Sequence, residues 1–108
     1  MEIPEPIKDQ IEESGGLEKI NSKVPGQDEI EMRAQVFKAL SDPQRLKILY
    51  LLLEQDLCVC CIKEVVDMPD SKLSYHLMKL KDAGLIVGDQ MKNWIIYKPT
   101  ELAKEVVS

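Results

Sequence analysis

The strongest constraint on the fold of this 108-residue chain is a four-residue turn, Asp67-Met68-Pro69-Asp70. It separates two helical apolar patterns, and a glycine and two β-rich segments follow them. Downstream of the turn, Leu73, Leu77 and Leu80 predict a helix over about 71–83, capped by Asp70 or Ser71 and stopped by Gly84. Upstream, a short helix over about 58–66 leads into it, and two helices joined by so short a turn fit a helix-turn-helix. Ahead of these, Ser41-Asp42-Pro43 breaks the chain and restarts it. Asp42 is suited to cap the next helix and Pro43 to occupy its first position. That helix, about 43–54, carries Leu46, Ile48, Leu49, Leu52 and Leu53, a wide apolar surface that marks it as the central core element.

The ends follow the same logic. Ile30, Ala34 and Phe37, widened by Met32, Val36, Ala39 and Leu40, predict a helix over about 28–40. Leu85-Ile86-Val87 and Trp94-Ile95-Ile96-Tyr97 read as strands, with Gly88 to Asn93 as a hairpin loop. After Pro99-Thr100, a closing helix carries Leu102, Ala103, Val106 and Val107. The expected fold is therefore α+β, mainly α: a winged helix-turn-helix of about five helices plus a β-hairpin wing over residues 28–108. Residues 1–27, rich in acids and interrupted by Pro4, Pro6, Gly15-Gly16 and Pro25-Gly26, form an acidic N-terminal extension. Ile3, Ile7 and Ile11 allow short helical turns there; a solvated tail is the alternative. Apolar faces on the first and last domain helices, larger than a small core covers, point to a homodimer.

All three cysteines, Cys58, Cys60 and Cys61, fall within four positions ahead of the second helix of the pair. The N-terminus is acidic and proline-broken and no apolar run approaches a membrane span, so a cytoplasmic protein with no membrane partner is expected. In a reducing compartment, clustered thiols are metal-binding or redox-active. Soft thiolates select thiophilic ions, and three of them with one distant histidine fall short of a four-ligand zinc site. Trivalent arsenic or antimony accepts three sulfurs. In a regular helix Cys58 and Cys61 share a face, with Cα atoms roughly 5 Å apart, while Cys60 lies about 200° around from Cys58. Convergence of all three on one ion therefore requires the helix start to unwind, which would couple binding to the neighbouring helix. The Cys58/Cys61 spacing also permits a disulfide.

The net charge of -5 masks a division. Residues 1–31 hold three lysines against nine acids, residues 32–108 eleven basic against ten acidic side chains, and residues 71–98 five lysines against two aspartates. The DNA-facing candidates lie in that last stretch. Ser71, Lys72 and Ser74 with Lys79 are suited to phosphates, Tyr75 and His76 to base edges, with a hydrogen-bonded scaffold role the alternative for His76, and Lys92 and Asn93 sit at the wing tip.

Residues 41–98 resemble the ArsR/SmtB family of metal-sensing repressors. The resemblance rests on Ser41-Asp42-Pro43-Gln44-Arg45-Leu46-Lys47-Ile48-Leu49, Leu57-Cys58-Val59-Cys60, Ser74-Tyr75-His76-Leu77, Leu80-Lys81-Asp82-Ala83-Gly84-Leu85-Ile86 and Trp94-Ile95-Ile96-Tyr97. It implies a repressor that binds double-stranded operator DNA, requires no cofactor and is released by As(III)/Sb(III) or another thiophilic ion at the cysteines. The chain departs from the family pattern in four places. Tyr75 stands where a basic residue or histidine is usual, and the wing offers only Lys92. Lys63 occupies the position of the usual third thiol, and no cysteine precedes residue 58. Two other functions stay open: a thiol redox-responsive regulator, and a metalloid-binding or interaction module without DNA readout. An enzyme is not expected, since the lone histidine has no nucleophile and orienting group beside it.

Overall fold

A computed structural model describes residues 2–107. The chain divides into two compact units, Met1–Glu31 and Met32–Ser108. The first contains α1 (Glu5–Glu13) and α2 (Leu17–Ser22), joined through Gly15 and Gly16, whose φ values of 92° and 95° favour glycine. Neither helix has a buried residue. These two helices are the additions to the five expected, and they form where the isoleucine spacing allows helical turns.

The second unit is built around α4 (Pro43–Glu54). Asp42 caps it as expected, its carboxylate accepting from the backbone N–H of Gln44 at 2.8 Å and of Arg45 at 3.2 Å. Ile48, Leu49 and Leu52 are fully buried. Around it lie α3 (Gln27–Leu40), α5 (Val59–Val66), α6 (Asp70–Asp82) and α7 (Glu101–Val106). The core adds Val36 of α3, Ile62 of α5, Leu73, Leu77 and Leu80 of α6, and Ala103 of α7. Between α5 and α6 the chain reverses at Asp67, which adopts φ 43°, and Met68 plugs the turn from inside.

The expected cap of α6 is corrected. Pro69 takes the N-cap position and no side chain caps the helix, because the helix begins at Asp70 itself. The exit follows expectation: Gly84, at φ 77°, sends Leu85 N–H back to the Leu80 carbonyl and its own N–H to Lys81, so the last turn closes on a left-handed glycine.

The sheet has three antiparallel strands in the order β1-β3-β2. β2 (Ile86–Met91) and β3 (Trp94–Pro99) pair from Ile86↔Pro99 to Met91↔Trp94, so the hairpin loop shrinks to Lys92 and Asn93. The longer loop expected over Gly88–Asn93 underestimates the strand. Gly88 supports the pairing because a Cβ there would lie 2.9 Å from Ile95 Cγ2 and 3.0 Å from Tyr97 Cε1. β1 (Leu57–Cys58) adds a short edge, with Leu57 opposite Tyr97 and Cys58 opposite Ile96. The apolar stripe expected on α3 is rotated. Val36 and Ala39 face the core, while Phe37 is 59% exposed and Met32 49%.

Candidate metal centre and nucleic-acid interface

The thiols owe their arrangement to the junction of β1 and α5. Cys58 is held in extended conformation by its pairing with Ile96 and is the N-cap of α5. Its side chain makes no capping hydrogen bond, but from the N-cap position it lies beside the second and third helical residues, Cys60 and Cys61. All three sulfurs consequently lie within 4.8 Å of one another. Cys58 Sγ stands 3.5 Å from Cys61 Sγ, and Cys58 pairs with Cys60 as a disulfide with Cα atoms 5.4 Å apart.

This corrects the expected geometry in two respects. The helix starts one residue later than the pattern indicated, so no unwinding is needed for convergence. The pairing joins Cys58 to Cys60 rather than to Cys61. A two-residue strand leaves no periodicity to read, and its partner strand lies far downstream.

The donor set is chemically uniform, with three sulfurs and no histidine or carboxylate in the group. Three ligands at metal–sulfur distances of about 2.3 Å place sulfurs roughly 3.5–4 Å apart; the Cys58–Cys61 separation of 3.5 Å lies in that range, whereas the Cys58–Cys60 disulfide must be reduced and its sulfurs move apart before all three can share an ion. Cys60 and Cys61 are exposed and Cys58 half-buried, so an incoming ion reaches the site directly. Ile62, fully buried beside these thiols, anchors α5 to the core. Lys63, at the position of the usual third thiol, forms an ion pair with Asp70 in the first turn of α6.

On α6, Ser71, Lys72, Ser74, Tyr75 and Lys79 are exposed. The Lys79 ammonium sits 5.5 Å from the centre of the Tyr75 ring. Lys92 and Asn93 are exposed at the wing tip, where Lys92 adopts φ 55° and its carbonyl accepts from Gln90 Nε2 at 2.8 Å. Behind the tip, Lys98 pairs with Asp89 at 3.0 Å across the strands, and that hydrogen bond raises the lysine pKa.

The expected exposure of His76 is corrected. It is 3% exposed and turned inward, where its Nδ1 accepts a hydrogen bond from Arg45 Nη1 at 3.1 Å. Arg45 Nε also donates to the Ala39 carbonyl at 2.7 Å. One guanidinium therefore joins the end of α3, the start of α4 and the middle of α6. Burial pushes the imidazole below the usual histidine range; Asp42 opposes this, and Arg45 and Lys72 add to it. With Nδ1 accepting, the proton sits on Nε2, which is buried and has no hydrogen-bond partner. Sequence reasoning missed Arg45, although it sits in the first turn after the Asp42-Pro43 start signal.

The profile of the bacterial regulatory proteins of the arsR family matches residues 42–87. An uncharacterised HTH-type transcriptional regulator of Methanocaldococcus jannaschii is 41% identical over 68 residues, covering 62% of this chain and 76% of that protein. The chain belongs to the ArsR family. The arsenical resistance operon repressor of Bacillus subtilis is 45% identical over 64 residues, which are 58% of this chain and 61% of that repressor. Among solved structures, the homodimeric winged helix-turn-helix DNA-binding domain of a possible ArsR-family regulator from Mycobacterium bovis superposes with a TM-score of 0.67. It is 28% identical, and the match covers 71% of this chain and 72% of that one. The fold is the expected winged helix-turn-helix, and family and fold are those of transcriptional regulators rather than enzymes. No helix among the described residues is long and apolar enough to cross a membrane.

Proposed function

We propose that this ArsR-family chain is a homodimeric repressor released from operator DNA when Cys58, Cys60 and Cys61 bind trivalent arsenic or antimony. The carrying observation is the cluster of three sulfurs within 4.8 Å at the start of the helix that precedes the exposed α6. The B. subtilis arsenical resistance repressor, similar over that same region, supports the ligand class. With the thiols reduced, arsenite reacts as As(OH)3 + 3 RSH → As(SR)3 + 3 H2O. Three As–S bonds replace three As–O bonds, and no oxidant is consumed.

The route to DNA follows from the anchors. Cys58 belongs to β1, which pairs with β3 of the wing, while Cys60 and Cys61 belong to α5, which leads through Asp67–Pro69 into α6. Binding ties the sheet edge to the helix start and fixes both readers relative to each other. Only a difference in affinity between the DNA-competent and released conformations is required, and a coupling of about 1–3 kcal/mol is typical. Exposed Phe37 and Met32 on α3 supply an apolar face for a second copy. α6 would enter the major groove, with Ser71, Lys72, Ser74 and Lys79 on phosphates, Tyr75 on base edges, and Lys92 with Asn93 at the flank.

The test is fluorescence anisotropy of the reduced protein on its own upstream DNA during an arsenite titration, beside a Cys58→Ser/Cys60→Ser variant. Release of the wild type alone is expected. Tight binding that ignores arsenite refutes the reading. A cadmium titration in parallel reads the ion preference, since a cadmium resistance regulator of Staphylococcus aureus is also similar to this chain.

A second reading rests on the Cys58–Cys60 pairing. In a redox switch, a peroxide takes two electrons and two protons from these thiols, leaving a disulfide and water. Release by peroxide, reversed by dithiothreitol without any metal, distinguishes it.

A further inference from the structure

Beside the exposed face of α6 lies a cleft of about 470 Å³. The end of α3, the start of α4 and the outer side of α6 enclose it. Gln35, Lys38, Arg45, Tyr75, Lys79 and Asp82 contribute polar walls. Three cations face one carboxylate.

Those cations are differently engaged. Arg45 is committed to the Ala39 carbonyl and to His76, so it shapes the floor and is not free to turn outward. Lys79 leans over the Tyr75 ring. Lys38, on the opposite wall, has no carboxylate partner among the described residues, and neither has Lys79, although Asp82 lines the same cleft. Elsewhere in this unit Lys63, Lys98 and Lys104 are each paired with an acid, while Lys47, Lys72, Lys81 and Lys92 form no ion pair among the described residues; what sets Lys38 and Lys79 apart is that they line one cleft. Two uncompensated ammonium groups across an open cleft form a site for a singly or doubly charged oxyanion, with Gln35 as a neutral donor.

We infer that this cleft seats a phosphodiester of the operator backbone, held between Lys38 of α3 and Lys79 of α6. The inference rests on the DNA-binding reading above and extends it to a helix outside the helix-turn-helix pair. It fits the chain's scarcity of wing cations: a phosphate clamp on the α3 side supplies attraction that the Lys92 tip alone does not. The clamp also makes Lys38 sequence-neutral, since a phosphate carries no base identity.

The experiment measures operator affinity of the full chain against salt for wild type, Lys38→Ala, Lys38→Arg and, as a remote control, Lys104→Ala. Thermal melts establish that each variant is folded. Losing one phosphate contact reduces the slope of log affinity against log salt by about 0.9. The expected result is that slope change, with roughly 3–10-fold weaker binding at moderate salt, for Lys38→Ala on every sequence tested. Lys38→Arg and Lys104→Ala should keep the wild-type slope. Unchanged affinity and slope in a folded Lys38→Ala overturns the inference. A parallel titration with inorganic phosphate at constant ionic strength separates the sources. If phosphate binds wild type but not Lys38→Ala while the DNA slope is unaltered, the cleft holds a free anion and the backbone assignment fails. If wild type binds no DNA at any salt, the DNA-binding reading fails and takes this inference with it.

Discussion

Removing the Arg45 guanidinium tests whether it fixes α6. Arg45→Ala deletes the bonds to the Ala39 carbonyl at 2.7 Å and to His76 Nδ1 at 3.1 Å. Arg45 is half-buried, so each bond is taken at the lower end, about 1–1.5 kcal/mol net. The truncation also leaves Nδ1 unsatisfied on an imidazole whose Nε2 already lacks a partner, a penalty of about 1 kcal/mol or more. The expected loss is about 3–4 kcal/mol, or roughly 12–20 °C in Tm for a domain of this size. Urea unfolding at pH 7.5 and fixed protomer concentration reads it. A double-mutant cycle with His76→Leu isolates the contact, and a coupling of about 1–2 kcal/mol is expected. Arg45→Ala within about 0.5 kcal/mol of wild type, or a coupling near zero, would refute the reasoning.

Three other outcomes follow from particular contacts. Because His76 has a lowered pKa when folded, the unfolded chain takes up its proton first; stability is full above the unfolded pKa of about 6.5 and falls as pH drops toward the folded value. Urea melts from pH 8 to 5 should show that decline, and His76→Leu should flatten it; an unchanged slope in the variant refutes the assignment. Gly88→Ala should cost about 1–3 kcal/mol, because the added methyl meets Ile95 and the buried Tyr97 ring; thermal melts measure it, and a neutral result would show that the hairpin gives way freely. Thr100→Ala should cost about 1–2 kcal/mol, since its hydroxyl accepts from Ala103 N–H at 3.2 Å and donates to the Gly84 carbonyl at 2.6 Å; calorimetry decides, with Thr100→Ser expected to recover most of it.

What the sequence disclosed was local. The α4 start was legible because Asp42-Pro43 is a capping pattern with a mechanism, and the α6 exit because Gly84 must adopt positive φ. What stayed hidden was tertiary. β1 exists only through its pairing with β3, and that pairing places Cys58 ahead of the helix so that the sulfurs converge. Residue type alone points His76 to the outer side of α6; its inward position goes with a hydrogen bond from Arg45 of α4, a partner 31 residues away. On α3, Ile30-Ala34-Phe37 and Val36-Ala39 are both plausible stripes, and only burial in the folded core selects the second.

If the thiols control DNA binding, then beside the β1–β3 route to the wing and the Asp67–Pro69 connection two side-chain routes lead from α5 to α6, and magnitudes choose between these two. The Lys63–Asp70 ion pair links α5 directly to the start of α6, but its side chains are 49% and 79% exposed. Such a pair is worth about 0–1 kcal/mol and is screened by salt, too little to carry a coupling of about 1–3 kcal/mol. Ile62 lies next to Cys61 in sequence, is fully buried, and packs in the same core as Leu49, Leu52 and Leu80. A close-packed interior transmits displacement, so movement of the α5 start should reach α6 through Ile62. Lys63→Met should therefore leave the arsenite-induced loss of operator affinity within about twofold of wild type. Ile62→Val, which costs only about 0.5–1.5 kcal/mol and should fold, should shrink that loss while arsenite still binds the thiols. Operator affinities with and without arsenite measure both variants. Abolished induction in Lys63→Met together with full induction in Ile62→Val would place the coupling on the surface ion pair instead.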